Sequence, residues 1–128
     1  TGFLDVPGEF NMNGIAKYRG KLLIASTATG QIYQVVPKND FKATVIASDL
    51  PFGDGILVDG DQLTLVQNFA NTIAVLSLGR PPAPGAPFPA TPLTAFTSQD
   101  FQVPTTAARA SRYHCTCNAR FDEFNPLE

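Results

Sequence analysis

Basic residues are scarce and scattered in this chain. Nine Lys and Arg stand against eleven Asp and Glu, for a formal net charge of −2, and no run of cations gathers anywhere. A nucleic-acid surface needs a positive face to neutralise phosphates, so that class of partner is excluded. Charged residues make up 16% of the chain, well under the roughly one quarter usual for globular domains. Long hydrophobic runs are missing as well; none approaches the ~20 residues of a membrane-spanning helix, and no membrane partner is expected. The opening residues, TGFLDVPGEF, lack the charged-then-apolar layout of a secretion signal. Such a segment is expected to have been removed or never to have existed.

Histidine and cysteine are nearly absent. His114 is the only histidine, and no Gly-x-Ser-x-Gly elbow accompanies it, which excludes a serine triad of that type. Cys115 and Cys117 stand as CTC. On a strand they share one face and His114 takes the other, which disfavours a Cys–His nucleophile pair and gives no zinc spacing. A disulfide closed over one residue is strained. Two free thiols are expected, with pairing outside the chain as the alternative.

What the chain does have is a repeat. At a shift of 41 positions, Asn13–Val35 lies over Asp54–Leu76 without a gap: Gly14 meets Gly55, Ile15 meets Ile56, Leu22 meets Leu63 and Ile32 meets Ile73. A fainter third copy places Tyr113–Asn118 over Leu63–Asn68 at a shift of 50. The extra nine positions fit a proline-rich insertion, RPPAPGAPFPATP (Arg80–Pro92), expected to be an extended surface loop because proline lacks the N–H a sheet ladder needs. Within one period, NGIA, KLLIAS, QIYQVVP and FKATVIA read as four short strands separated by turns. Four strands in about 40–45 residues is the arithmetic of a propeller blade. The expected fold is all-β: propeller-type four-stranded antiparallel blades over 13–50, 54–79 and 104–128, with the proline-rich loop at 80–92. A sandwich of stacked hairpins is the competing architecture. Closed rings take about four to eight blades. Three imply a partial ring within a single domain, closed by self-association as dimer or trimer, or by a missing part of the same polypeptide. Phe3, Phe10, Phe41, Phe52, Phe69 and Phe88 are expected to pack between blades.

The stretches NMNGIAKYRGKLLIASTATGQIYQV and FGDGILVDGDQLTLVQNFANTIAVLSL, with VPTTAA and NARF later, resemble the six-bladed propellers of the gluconolactonase/regucalcin (senescence-marker) superfamily and their strictosidine-synthase-like relatives. That resemblance implies a divalent cation, calcium foremost, held in a central tunnel. Matched residue by residue, Asn13 takes the family's asparagine position, and Asp54 takes its aspartate position, both ligand and general base. The family's glutamate has no counterpart; Glu9 precedes the first repeat and is poorly placed. The resemblance therefore implies a metal-dependent hydrolase of lactones or related esters acting on a small molecule, or a non-catalytic secreted binding module with an incomplete metal site. An extracellular location goes with it.

The residue types agree with cation chemistry, since a hard cation takes oxygen donors. Asn-Gly and Asp-Gly are equally the commonest hairpin-turn dipeptides. Asn68 and Asn118 each end a strand, where they cap the next turn or else line a pocket.

Overall fold

Residues 12–121 are described by a computed structural model. β1 (Met12–Tyr18), β2 (Lys21–Ser26), β3 (Gln31–Val36) and β4 (Lys42–Ala47) form one antiparallel sheet in chain order. β5 (Gly53–Asp59), β6 (Gln62–Gln67), β7 (Thr72–Leu78) and β8 (Ala90–Thr97) form a second. β9 (Pro104–Ala110) and β10 (Tyr113–Asn118) form a two-stranded third, and none of the sheets closes on itself. The fold is thus all-β. The period of 41 carries β1 onto β5, β2 onto β6 and β3 onto β7, while β8 lies further along the chain than a shift of 41 from β4 would place it.

The third copy is displaced from its expected register. Pairing of Ala110 with Tyr113 matches that of Asp59 with Gln62, a shift of 51 rather than 50. The Asn68 amide donates to the Phe52 carbonyl, and the Ala119 amide to that of Val103, again 51 apart. Asn118 is therefore the counterpart of Gln67, not of Asn68. A one-residue slip exchanges the two faces of a strand, so the correction moves every assignment in the third sheet.

Neighbouring sheets meet through their first strands, β1 against β5 and β5 against β9. The repeated glycines make this possible. A Cβ on Gly14 would run into the Asp54 carbonyl and lie 2.7 Å from the Ile56 nitrogen. One on Gly55 would lie 2.6 Å from the Thr105 carbonyl and 2.7 Å from the Thr106 Cα. These glycines sit inside strands, so Asn13-Gly14 and Asp54-Gly55 are not hairpin turns. The true turns are Arg19-Gly20, Gly60-Asp61 and Ser111-Arg112, two-residue loops closing the first hairpin of each sheet. Arg19 and Gly20 both hold positive φ, as a type I′ turn demands. At this hairpin end polar links join the sheets. Tyr18 Oη donates to Asp61 Oδ1 at 2.6 Å and Arg19 pairs with the same oxygen at 2.8 Å, while Arg109 pairs with Asp59. Those two donors hold the Asp61 carboxyl below its ordinary value.

The core lies between the first two sheets. Leu23, Ala25 and Ile32 face Leu63, Leu65, Ala74 and Leu76, with Tyr18, Leu50 and Leu78 around them. On the other face of the second sheet Thr64, Val66, Ile73 and Val75 are also buried. Burial on both faces explains why β6 and β7 read as nearly continuous apolar runs instead of alternating.

The proline-rich segment departs from a plain surface loop. Pro82–Gly85 is exposed, but Phe88 is buried in the core and stacks edge-on against Tyr18, centroids 4.8 Å apart. Its amide donates to the buried Gln34 Oε1 at 2.9 Å. The insertion therefore falls within the second sheet, between β7 and β8, and that unit runs on to Thr97 instead of ending at 79. Pro92 is tolerated because β8 is an edge strand with a register irregularity opposite it. Of the other phenylalanines, Phe41, Phe52 and Phe69 are exposed rather than packed between sheets, since each sits on a turn; Phe3 and Phe10 lie outside the described residues. Gln34→Leu leaves the Phe88 N–H buried without its acceptor, and urea unfolding is expected to show a loss of about 1–3 kcal/mol.

Candidate cation and ligand site

Each first hairpin carries a register shift at the same place. Pairing slips between Met12 and Ile15, between Gly53 and Ile56, and between Cys117 and Asn118, opposite Thr106 and Pro104. A bulge adds one residue to one strand and re-aims its side chain. The residues caught in the three bulges are Asn13, Asp54 and Thr105, equivalent under shifts of 41 and 51. Since β1, β5 and β9 are neighbours, three oxygen-bearing side chains enter successive strands at the same end. Thr105 was missed in the sequence because the third copy lacks the glycine that marks the other two; the hairpin spacing alone could have found it.

Asn13 is exposed and its Nδ2 donates to Thr27 Oγ1 at 3.4 Å. Thr27 donates in turn to the Gly53 carbonyl at 2.6 Å, tying the first sheet to the residue before Asp54. The Asp54 carboxylate is half-buried and accepts from Asn68 Nδ2 at 3.1 Å. Burial pushes its pKa above the ordinary value and the Asn68 hydrogen bond only partly offsets this. Among the described residues no cationic side chain pairs with it.

Asn68 is buried, donating to Asp54 while its Oδ1 accepts from the Phe69 amide at 2.7 Å. It orients the carboxylate. Asn118, exposed, lies elsewhere in function. Its Nδ2 donates to the Asp100 carbonyl and its Oδ1 accepts from the Gln102 amide, holding that loop. Gln67, its true counterpart, donates to the Pro51 carbonyl in the same manner.

Beside this edge opens a cleft of about 550 Å³ whose lining includes Thr27, Thr29, Gln31, Asp49, Leu50 and Phe52. Thr29 Oγ1 is buried there without a hydrogen-bond partner among the described residues. Phe52, Phe69 and Phe121, all exposed, form a chain of ring contacts at 6.0 and 6.4 Å along the same end. No group of three His, Cys, Asp or Glu side chains able to hold a metal comes together among the described residues. No family model, curated protein or solved structure matches this chain.

The raised Asp54 pKa fixes a pH dependence. The folded chain holds the Asp54 proton to higher pH than the unfolded chain, so folded molecules bind more protons from the usual 3.8 upward to the folded value. Stability attributable to this group therefore falls as pH rises through that window, and the penalty persists above it. Asp54→Asn removes it. Urea midpoints measured from pH 3.5 to 7 are expected to lose part of this downward slope, with the variant no less stable than wild type at neutral pH.

Proposed function

We propose that the three sheets are propeller-type blades in an open, partial ring, and that their strand-start edge binds a divalent cation, calcium foremost. Asp54 is the anionic ligand. The observation carrying this reading is a half-buried carboxylate, desolvated and without a cationic partner among the described residues, set between two other oxygen donors by matching bulges. The residues fit a hard cation in part. Asn13 spends its amide nitrogen on Thr27, which leaves Oδ1 to coordinate; Asp54 Oδ1 is engaged by no hydrogen bond among the described residues. Thr105 adds a hydroxyl. Calcium takes about six to eight oxygens, so water, substrate, another copy or a further part of the polypeptide supplies the rest.

The chemistry that follows is hydrolysis of a lactone or related ester seated in the adjoining cleft. A bound cation polarises the carbonyl and lowers the pKa of water. Asp54 is the carboxylate beside that water and the group placed to take its proton. Asn68 keeps the carboxylate oriented. A second reading, a binding module without catalysis, is favoured by the exposed row Phe52, Phe69 and Phe121, a platform for an apolar ligand face.

Calorimetric calcium titration tests the first reading, with Asp54→Asn expected to abolish binding and lactone hydrolysis together. Calcium binding without hydrolysis of any lactone supplied favours the module; absence of calcium binding removes the cation site itself.

A further inference from the structure

The outward face of the third sheet carries a second chemistry unrelated to Asp54. Cys115 and Cys117 are both free and both exposed. They alternate with Thr116 along β10 and so project from one face. Directly across the ladder stand Ala108 opposite Cys115 and Thr106 opposite Cys117. Both are exposed and small, leaving the space above the sulfurs open. No sheet strand pairs with the other edge of β10 among the described residues. Tyr113, next on the same face, is engaged with Arg112, whose guanidinium donates to the phenol oxygen at 2.9 Å and lies 5.1 Å from the ring centre.

We propose that Cys115 and Cys117 form a two-thiolate clamp for a soft monovalent cation, of which the cuprous ion is the type. A strand rises about 3.3 Å per residue, so the two Cα atoms stand about 6.6 Å apart. Thiolate–metal bonds of about 2.3 Å require the sulfurs to approach about 4.6 Å in a linear arrangement. Strand side chains lean along the strand direction, and two cysteine rotamers inclined toward each other cover that difference. The reach that strains a disulfide is thus suited to a metal placed between the sulfurs.

The ligand count selects the ion. His114 projects from the opposite face, and Ala108 and Thr106 offer neither carboxylate nor imidazole, so a tetrahedral set for zinc is not completed. Soft thiolates with low coordination number favour cuprous over hard or four-coordinate ions. Binding releases both thiol protons to solvent as the two metal–sulfur bonds form; no oxidant or reductant takes part.

The experiment is an anaerobic titration of the full chain with cuprous ion alone, against a colorimetric cuprous chelator, with zinc as a parallel probe. The clamp predicts one equivalent of cuprous ion per chain, no zinc bound at the same concentration, and an unchanged monomer-equivalent mass. C115S and C117S should each weaken cuprous binding at least about 100-fold, because one thiolate loses the high effective concentration of the second. H114A should bind as wild type. Circular dichroism of each serine variant shows that a loss is not unfolding, and a further variant, T116A, between the thiols, should bind normally. One equivalent retained by either single serine variant within about tenfold of wild type would overturn the clamp. So would half an equivalent per chain with doubling of mass, since the metal would then bridge two copies.

Discussion

Gly55→Ala should lower the melting temperature by roughly 10 °C. The added methyl would meet backbone, the Thr105 carbonyl at 2.6 Å and the Thr106 Cα at 2.7 Å, and neither can swing aside as a flexible side chain would. Overpacking of this kind costs about 1–3 kcal/mol and occasionally more; the upper end applies because two sheets must part. For a domain near this length, about 3 kcal/mol corresponds to a shift of that size. Gly60→Ala is the informative comparison. Gly60 holds φ +58, and nothing lies within 4 Å of where a methyl would stand, so its substitution costs only the left-handed penalty of about 1–2 kcal/mol. Melts followed by circular dichroism should rank Gly55→Ala as the more damaging. The reverse ranking would mean that the sheets are not held at backbone contact.

The second large effect is in the core. Leu65 is 1% exposed, and its side chain also lies 3.4 Å from where a Gly53 Cβ would be, beneath the start of β5. Leu65→Ala is expected to cost about 2–5 kcal/mol in urea unfolding, the sum of lost transfer energy and an unfilled cavity. Leu93, on the outer strand β8, is 60% exposed. Leu93→Ala should fall within about 0.5 kcal/mol of wild type. On the proposed cation site, Leu65→Ala should weaken calcium binding as well, because Leu65 supports the strand start that carries Asp54, whereas Leu93→Ala should not.

Much of the scaffold was legible in the residues. Burial and strand period act locally on Leu22–Ser26 and Leu63–Gln67, so the 41-residue repeat could be read without coordinates. The third unit was harder. Its hairpin turns at Ser111-Arg112, where Ser111 adopts φ +56 without a glycine to mark it, and a chemical match between Asn68 and Asn118 outweighed the true spacing by one residue. β8 was hidden for a different reason: prolines argued against a strand, while the pairing with β7 that admits Pro92, with Leu93 as the unpaired residue beside it, is set across the sheet and not by the local sequence. Phe88 could not be placed from its neighbours, since its pocket is made by Tyr18 and Gln34 some seventy and fifty positions away. That Asn13 and Asp54 hold equivalent positions was legible by repeat. That their glycines serve sheet-to-sheet contact, and that bulges rather than turns aim the oxygens, are properties of pairing between strands and leave no local mark.

The most direct test of the cation site is to follow the Asp54 carboxyl carbon by NMR through a pH titration, with and without calcium. A cation site at Asp54 predicts titration above the ordinary aspartate range without calcium, and a clear fall in apparent pKa when calcium is added, because a bound cation favours the charged form. A titration curve that calcium leaves in place would contradict it.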